Sequence, residues 1–332
     1  MADPTTPQTA TEPTPTPAPA PEALSGPAPH LTPDTPALIP VIIDPDDYAT
    51  LQTHHSFPHT TDHPAYLTHT ETLLRTHTTH GQHTLALHFD ATHYTDFCTS
   101  HSIDPDTPTS RARYTLELAA HGPHLTYQGQ DIDTLIHQLI DRAAQHACGE
   151  LAHLLLDDAG SCKDCGQDRA NAAIDRAGRL LDAVLDRAGT GSHTLTCTCT
   201  ADGERLTIGL TAEQETPDTP TRFDDTDAAR LVAVLAAALA ASNAPCTRCT
   251  TPDPEPAPRS TGALLLRTTA PHARDRLTGW RLLQGHLHPL TAAEVFDAHC
   301  TNPFTGDVIP PLPHTDFLPG YDLTPGSTWP TP

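Results

Sequence analysis

Thr194-Leu195-Thr196-Cys197-Thr198-Cys199-Thr200-Ala201-Asp202-Gly203-Glu204-Arg205-Leu206-Thr207-Ile208-Gly209-Leu210 alternates apolar and polar residues on both sides of an Asp-Gly pair. A period of two is that of a β-strand, and Asp-Gly suits the two central positions of a tight hairpin turn. With Asp202 and Gly203 as that turn, Cys199 faces Leu206, Cys197 faces Ile208 and Leu195 faces Leu210. Thr194, Thr196, Thr198 and Thr200 take the other side. One face is then wholly apolar, which makes Cys197 and Cys199 small core residues rather than ligands.

Helical patterns surround this hairpin. Ile132, Leu135, Ile136, Leu139, Ile140, Ala143, Ala147, Leu151, Leu154 and Leu155 form one stripe at helical spacing and predict a helix over 131–157. A second helix starts after Asp168 as N-cap and runs through Ile174, Leu181 and Leu185 to Gly189. A third, near Asp227 to Ser242, carries the apolar run from Leu231 to Leu239 and ends before Pro245. Beyond a polar linker, strands are expected near 263–269, 279–283 and 286–288. A short helix opened by Thr291 then leads to Cys300.

Toward the N-terminus, residues 39–127 read as an internal duplication. Asp44, Tyr48, Leu51 and His80-Gly81-Gln82-His83 recur in order as Asp90, Tyr94, Phe97 and His121-Gly122-Pro123-His124. Each copy suggests a strand, a capping Asp, two helices and a terminal Gly. A Gly ending a helix between histidines that the composition supplies freely explains His80, His83, His121 and His124 better than a two-centre metal site. The fold class expected is α+β: a tandem strand-helix repeat, then a helix and β-hairpin region, then a small C-terminal α+β segment. The expected boundaries are a Pro/Thr/Ala-rich disordered tail at 1–37, duplicated units at 38–130, and a helical and hairpin region at 131–250. A linker at 251–261, the small α+β segment at 262–300 and a Pro-rich tail at 301–332 complete the chain.

A formal charge of −23 repels polyphosphate, so electrostatics speak against nucleic-acid binding by the whole surface. The local exception is Arg267, Arg274, Arg276 and Arg281. The 23 His accompany abundant Thr, Pro and Asp, whose codons can all be C-rich, so a skewed gene accounts for them without a metal-binding role. No basic start followed by an apolar run marks a secretory signal, and Leu231 to Ala241 is about half of a membrane span. The expectation is a cytoplasmic protein that does not enter membranes.

Two Cys-x-x-Cys pairs carry the chemistry: Cys162-Lys163-Asp164-Cys165, followed by Gly166, and Cys246-Thr247-Arg248-Cys249. Cys-x-x-Cys-Gly has the shape of a zinc knuckle, and four thiolates form a closed tetrahedral set for a structural Zn2+. Because 80 residues separate Cys165 from Cys246, a helix, a hairpin and a helix must bring the pairs together. A redox-active pair and reduced thiols with no common task are the alternatives. Thioredoxin-like chemistry fits poorly, since a long helix rather than a strand precedes the first pair. No nucleophile elbow, phosphate loop, dinucleotide fingerprint or His-Glu-x-x-His pair occurs.

At Phe89-Asp-Ala-Thr-His-Tyr94-Thr-Asp-Phe97-Cys98, through Ile103-Asp-Pro-Asp-Thr-Pro-Thr-Ser-Arg-Ala-Arg-Tyr114, and at Leu290-Thr-Ala-Ala-Glu-Val-Phe296, the chain resembles uncharacterised proteins of high-GC actinomycetes. That resemblance implies no activity and lends no catalytic residue. The function expected is a non-enzymatic interaction or regulatory protein stapled by zinc, with a protein partner. The alternatives are an enzyme whose site lies between the repeat and the Cys-bearing region, and a nucleic-acid-associated regulator using the arginine segment.

Overall fold

Strands β1 (Ala37–Val41) and β2 (Thr84–His88) lie parallel, with β3 (His124–Thr126) antiparallel on the far edge of β2, in a computed structural model. It describes residues 36–57, 62–162, 165–241, 261–270, 273–283, 285–302 and 305–323. Helices α1 (Pro45–Gln52) and α2 (His63–Thr79) join β1 to β2, and α3 (Ala91–Ser100) and α4 (Pro108–His121) join β2 to β3.

Each half opens with a strand, a capping Asp and a short helix. Asp44 accepts the amide of Asp46 and Asp90 that of His93, each satisfying a free donor of the helix it opens. Tyr48 and Tyr94 follow four residues later in both, are buried, and donate their amides to the Asp44 and Asp90 carbonyls at 3.0 Å. After that the halves diverge. Leu74 of α2 packs with Ile39, Val41 and Ala86 on one sheet face, whereas Tyr114 and Leu118 of α4 pack with Leu87 and Phe89 on the other. The chain re-enters the sheet parallel after α2 and antiparallel after α4.

The longest helix, α5 (Ile132–Asp157), joins two cores. Leu135 and Leu139 complete the core beneath the small sheet, while Ala152 and Leu156 belong to the large one. The helix that follows the expected boundary at 130/131 thus contributes to the cores on both sides of it.

The hairpin β4 (Gly191–Ala201) and β5 (Glu204–Gln214) has the register expected from sequence: Cys199 opposite Leu206, Cys197 opposite Ile208, Leu195 opposite Leu210. Asp202 and Gly203 both have positive φ, 51° and 90°, as a two-residue turn of this hand requires. Cys197 and Cys199 are buried. The hairpin is the middle of a seven-stranded sheet. Its order is β10 (Thr315–Phe317), β8 (Asp275–Leu283), β7 (Thr261–Thr269), β4, β5, β6 (Arg222–Phe223), with β9 (His286–Pro289) also paired to β8. The expected C-terminal segment is therefore not a separate unit. Along β7, Leu264 and Leu266 extend the same apolar face as Leu195 and Cys197, and burying that face requires a continuous sheet.

Helices α6 (Arg169–Ala188) and α7 (Asp225–Ala241) join the C-terminal half of α5 on that face. On the opposite face α8 (Ala292–His299), opened by the Thr291–Glu294 capping box, packs Val295 on Leu277 and Leu290. Residues 305–323 of the Pro-rich tail are built into the module. Phe317 packs near α8, and the Trp280 indole donates to the Tyr321 carbonyl at 2.7 Å.

Candidate metal centre

The first Cys pair lies in the turn between α5 and α6. Cys162 donates its amide to the Gln167 carbonyl at 2.8 Å, and Gly166 donates back to the Cys162 carbonyl at 2.9 Å. Ser161 and Asp168 close the base as an antiparallel bridge, and Asp168 then caps α6 by accepting the Asn171 amide at 2.8 Å. Gly166 has φ 69°, in the left-handed region where a Cβ is costly. This is the backbone shape that lets amides point at a sulfur in the first position.

The same turn recurs near the C-terminus with other side chains. Asn302 donates to the Asp307 carbonyl at 2.8 Å, Gly306 donates to the Asn302 carbonyl at 2.9 Å, and Thr301 bridges Val308. Gly306 has φ 77°. There the first-position side chain, Asn302 Oδ1, accepts the amide of Thr305 at 3.2 Å. In the earlier turn Cys162 and Cys165 occupy the positions of Asn302 and Thr305. A thiolate at 162 would thus meet an amide donor, which lowers the cost of its charge.

Cys246 and Cys249 lie outside the described residues. What is described is the helix that leads to them. Arg142 of α5 ion-pairs with Asp227 of α7, and a Cβ on Gly149 would stand 3.1 Å from Arg230 Cγ, so the contacts advance together along both helices. The two helices run side by side in the same direction. From this ion pair, α5 continues to Asp157 and α7 to Ala241. At 1.5 Å per residue both paths are about 21–23 Å, so the two C-termini are level within a turn. Helix α7 packs against both α5 and α6, the two helices that the Cys162 turn joins.

Among the described residues no group of three or more His, Cys, Asp or Glu side chains is placed to hold a metal. Three of the histidines flanking Gly81 and Gly122 have partners within the fold: His121 contacts Glu117 at 3.1 Å, His124 the Gly122 carbonyl at 3.0 Å, and His83 Thr126 at 3.4 Å.

In the arginine segment, Arg267 pairs with Asp275 at 2.5 Å, Arg274 with Asp316 at 2.8 Å and Arg281 with Glu294 at 2.9 Å. Three of the four guanidinium groups are therefore neutralised within the fold, and the segment offers no row of free cations to a phosphate backbone.

Where the edge of the small sheet, α5 and the β4–β5 hairpin meet, the place an unrecognised catalytic site would fall, lies a cleft of about 760 Å3. Gln128, Gln130, Gln138, Asp141 and Arg142 line it. Amides dominate, and Gln130 donates to Gln138 at 2.9 Å. No sequence pattern pointed to the charge cluster in the wall of this cleft, in which Asp227 bridges Arg142 and Arg230. Arg142 and Asp227 are 85 residues apart, and no local pattern links them.

No helix among the described residues is long and apolar enough to cross a membrane. No curated protein and no solved structure matches the chain. Residues 28–130, which include the small three-stranded module, match the family model described as a domain of unknown function, DUF8829.

Proposed function

We propose that Cys162, Cys165, Cys246 and Cys249 hold one structural Zn2+, and that the stapled large-sheet module serves as a cytoplasmic interaction or regulatory unit that docks a protein partner. The observation that supports this reading is the Cys162–Gly166 turn, with Gly166 at φ 69°, joining the two helices that pack on α7, while the second pair begins five residues after the end of α7 at Ala241. Four thiolates leave no open coordination position, so the metal would supply stability and no activated water. Cys162 and Cys165 would bind from the turn, whose Gly166 conformation is already set, and Asp168 would hold that turn to α6 through its cap.

The paired arginines on β7 and β8 weigh against a nucleic-acid role. Metal analysis of the full chain, purified without chelator, tests the reading. One zinc per chain is expected, lost on Cys165→Ser, together with lowered thermal stability of the large module. Zinc-free protein with unchanged unfolding would refute the staple. A hydrolytic activity lost with the metal would instead favour the enzyme.

A further inference from the structure

We propose that the cavity beside the C-terminal end of α6 binds a small organic monoanion with an apolar body. Its volume is about 410 Å3, within the roughly 300–1,000 Å3 typical of ligand sites. Arg187 of α6 and Arg276 of β8 contribute the cations, and no Asp or Glu lines the cavity. That is unusual for a chain with 41 acidic residues against 18 Lys and Arg. Leu266, Leu318, Pro319 and the Tyr321 ring supply apolar wall.

The two guanidinium groups differ in their commitments. Arg187 lies over the Tyr321 ring, 5.9 Å from its centroid, and donates to the Asp322 carbonyl. Both contacts orient the side chain and leave donors of its five. Arg276 forms no ion pair among the described residues. Asp316, its register partner on β10, is engaged by Arg274 at 2.8 Å.

The neutral hydroxyls are largely spent. Thr268 contacts His193 Nδ1 at 3.1 Å, and His193 Nε2 lies 2.7 Å from the Gly189 carbonyl. Since a carbonyl only accepts, Nε2 carries the proton and, in the neutral ring, Thr268 is the donor to Nδ1. Thr278 turns toward the Leu266 carbonyl at 3.5 Å. The available recognition chemistry is therefore cationic donors at one end and hydrocarbon around the rest, which selects a carboxylate or sulfonate carrying an alkyl or aromatic body. A polyphosphate would leave most of its charge unmatched, and a neutral ligand would leave Arg276 desolvated and unpaired.

Octanoate, with octanol as its uncharged counterpart, tests this by isothermal titration calorimetry on the full chain. One octanoate should bind per chain, and Arg276→Gln should weaken it about tenfold or more, the worth of one charge-assisted hydrogen bond. Octanol should bind more weakly than octanoate to the wild-type chain, and that substitution should not weaken it. Arg276→Lys should keep part of the affinity, and Leu318→Trp, which enlarges a rim residue that is 37% exposed, should block both ligands while the far-UV circular dichroism stays native. Failure of octanoate to bind the wild-type chain, or binding indifferent to Arg276→Gln and Leu318→Trp, would overturn the proposal.

Discussion

Gly320 stands where the C-terminal tail crosses β8, and its replacement by alanine probes how firmly that tail belongs to the large module. A Cβ there would lie 2.2 Å from the Gly279 carbonyl oxygen and 3.1 Å from Pro289 Cα. Both neighbours are backbone, so no side chain can turn aside and the tail must lift. Lifting it breaks three hydrogen bonds: Gly320 to the Leu290 carbonyl at 2.9 Å, Trp280 to the Tyr321 carbonyl at 2.7 Å, and the Tyr321 hydroxyl to the Val184 carbonyl at 2.9 Å. At about 1 kcal/mol net for each, the loss is about 3 kcal/mol. The edge-on contact of the Trp280 and Tyr321 rings, with centroids 4.8 Å apart, goes with them, worth about 0.5–1.5 kcal/mol more. For a module of this size the melting temperature should fall by roughly 7–18 °C. Trp280 is fully buried, and with Trp329→Phe in both proteins it is the sole tryptophan reporter. Its emission should move to longer wavelength in Gly320→Ala. An unchanged melting temperature and an unchanged emission maximum would refute the reasoning.

Asp227→Asn should destabilise the chain by about 2–3 kcal/mol in urea unfolding, because it leaves Arg142 and Arg230 facing each other without the carboxylate. Their side chains are only 21% and 15% exposed, so water cannot replace it fully. Acidification should also weaken the fold. Desolvation holds the buried His193 imidazole below its ordinary range, an effect the Gly189 carbonyl opposes, so the unfolded chain binds the proton more readily. The corresponding stability is present above pH about 6.5 and is lost as pH falls toward the folded value. The urea midpoint should therefore drop between pH 7.5 and 5.5, and drop less in His193→Gln. The Asp106 carboxyl, which accepts the Ser56 and His55 amides, is lowered to about 2, so NMR titration should find it ionised well below the usual carboxylate range. Asp106→Ala should speed hydrogen exchange at both amides.

Legibility in the sequence followed locality. The β4–β5 register needed only the alternation and the Asp202-Gly203 turn, and the caps at Asp44, Asp90, Asp168 and Thr291 needed only a side chain that reaches two or three residues ahead. What could not be read depends on partners far along the chain. The pairing of β7 with β4 spans more than sixty residues, and β10 returns parallel to β8 through a Pro-rich stretch that carries no strand pattern. The faces taken by α2 and α4 depend on α5, which fills one side of the small sheet and leaves the other to α4. In the site, Gly166 announced the turn at Cys162 because a left-handed position favours glycine. The Arg187 and Arg276 cavity is assembled from a helix, two strands and the tail, and no spacing in the chain records that meeting.

The most direct measurement on the zinc staple is X-ray absorption at the zinc K-edge on the full chain purified without chelator. The account predicts one zinc per chain with four sulfur neighbours at about 2.3 Å, and loss of that shell when Cys162 and Cys165 are both replaced by serine. A zinc-free protein, or a zinc shell of nitrogen and oxygen that survives the double substitution, would contradict it.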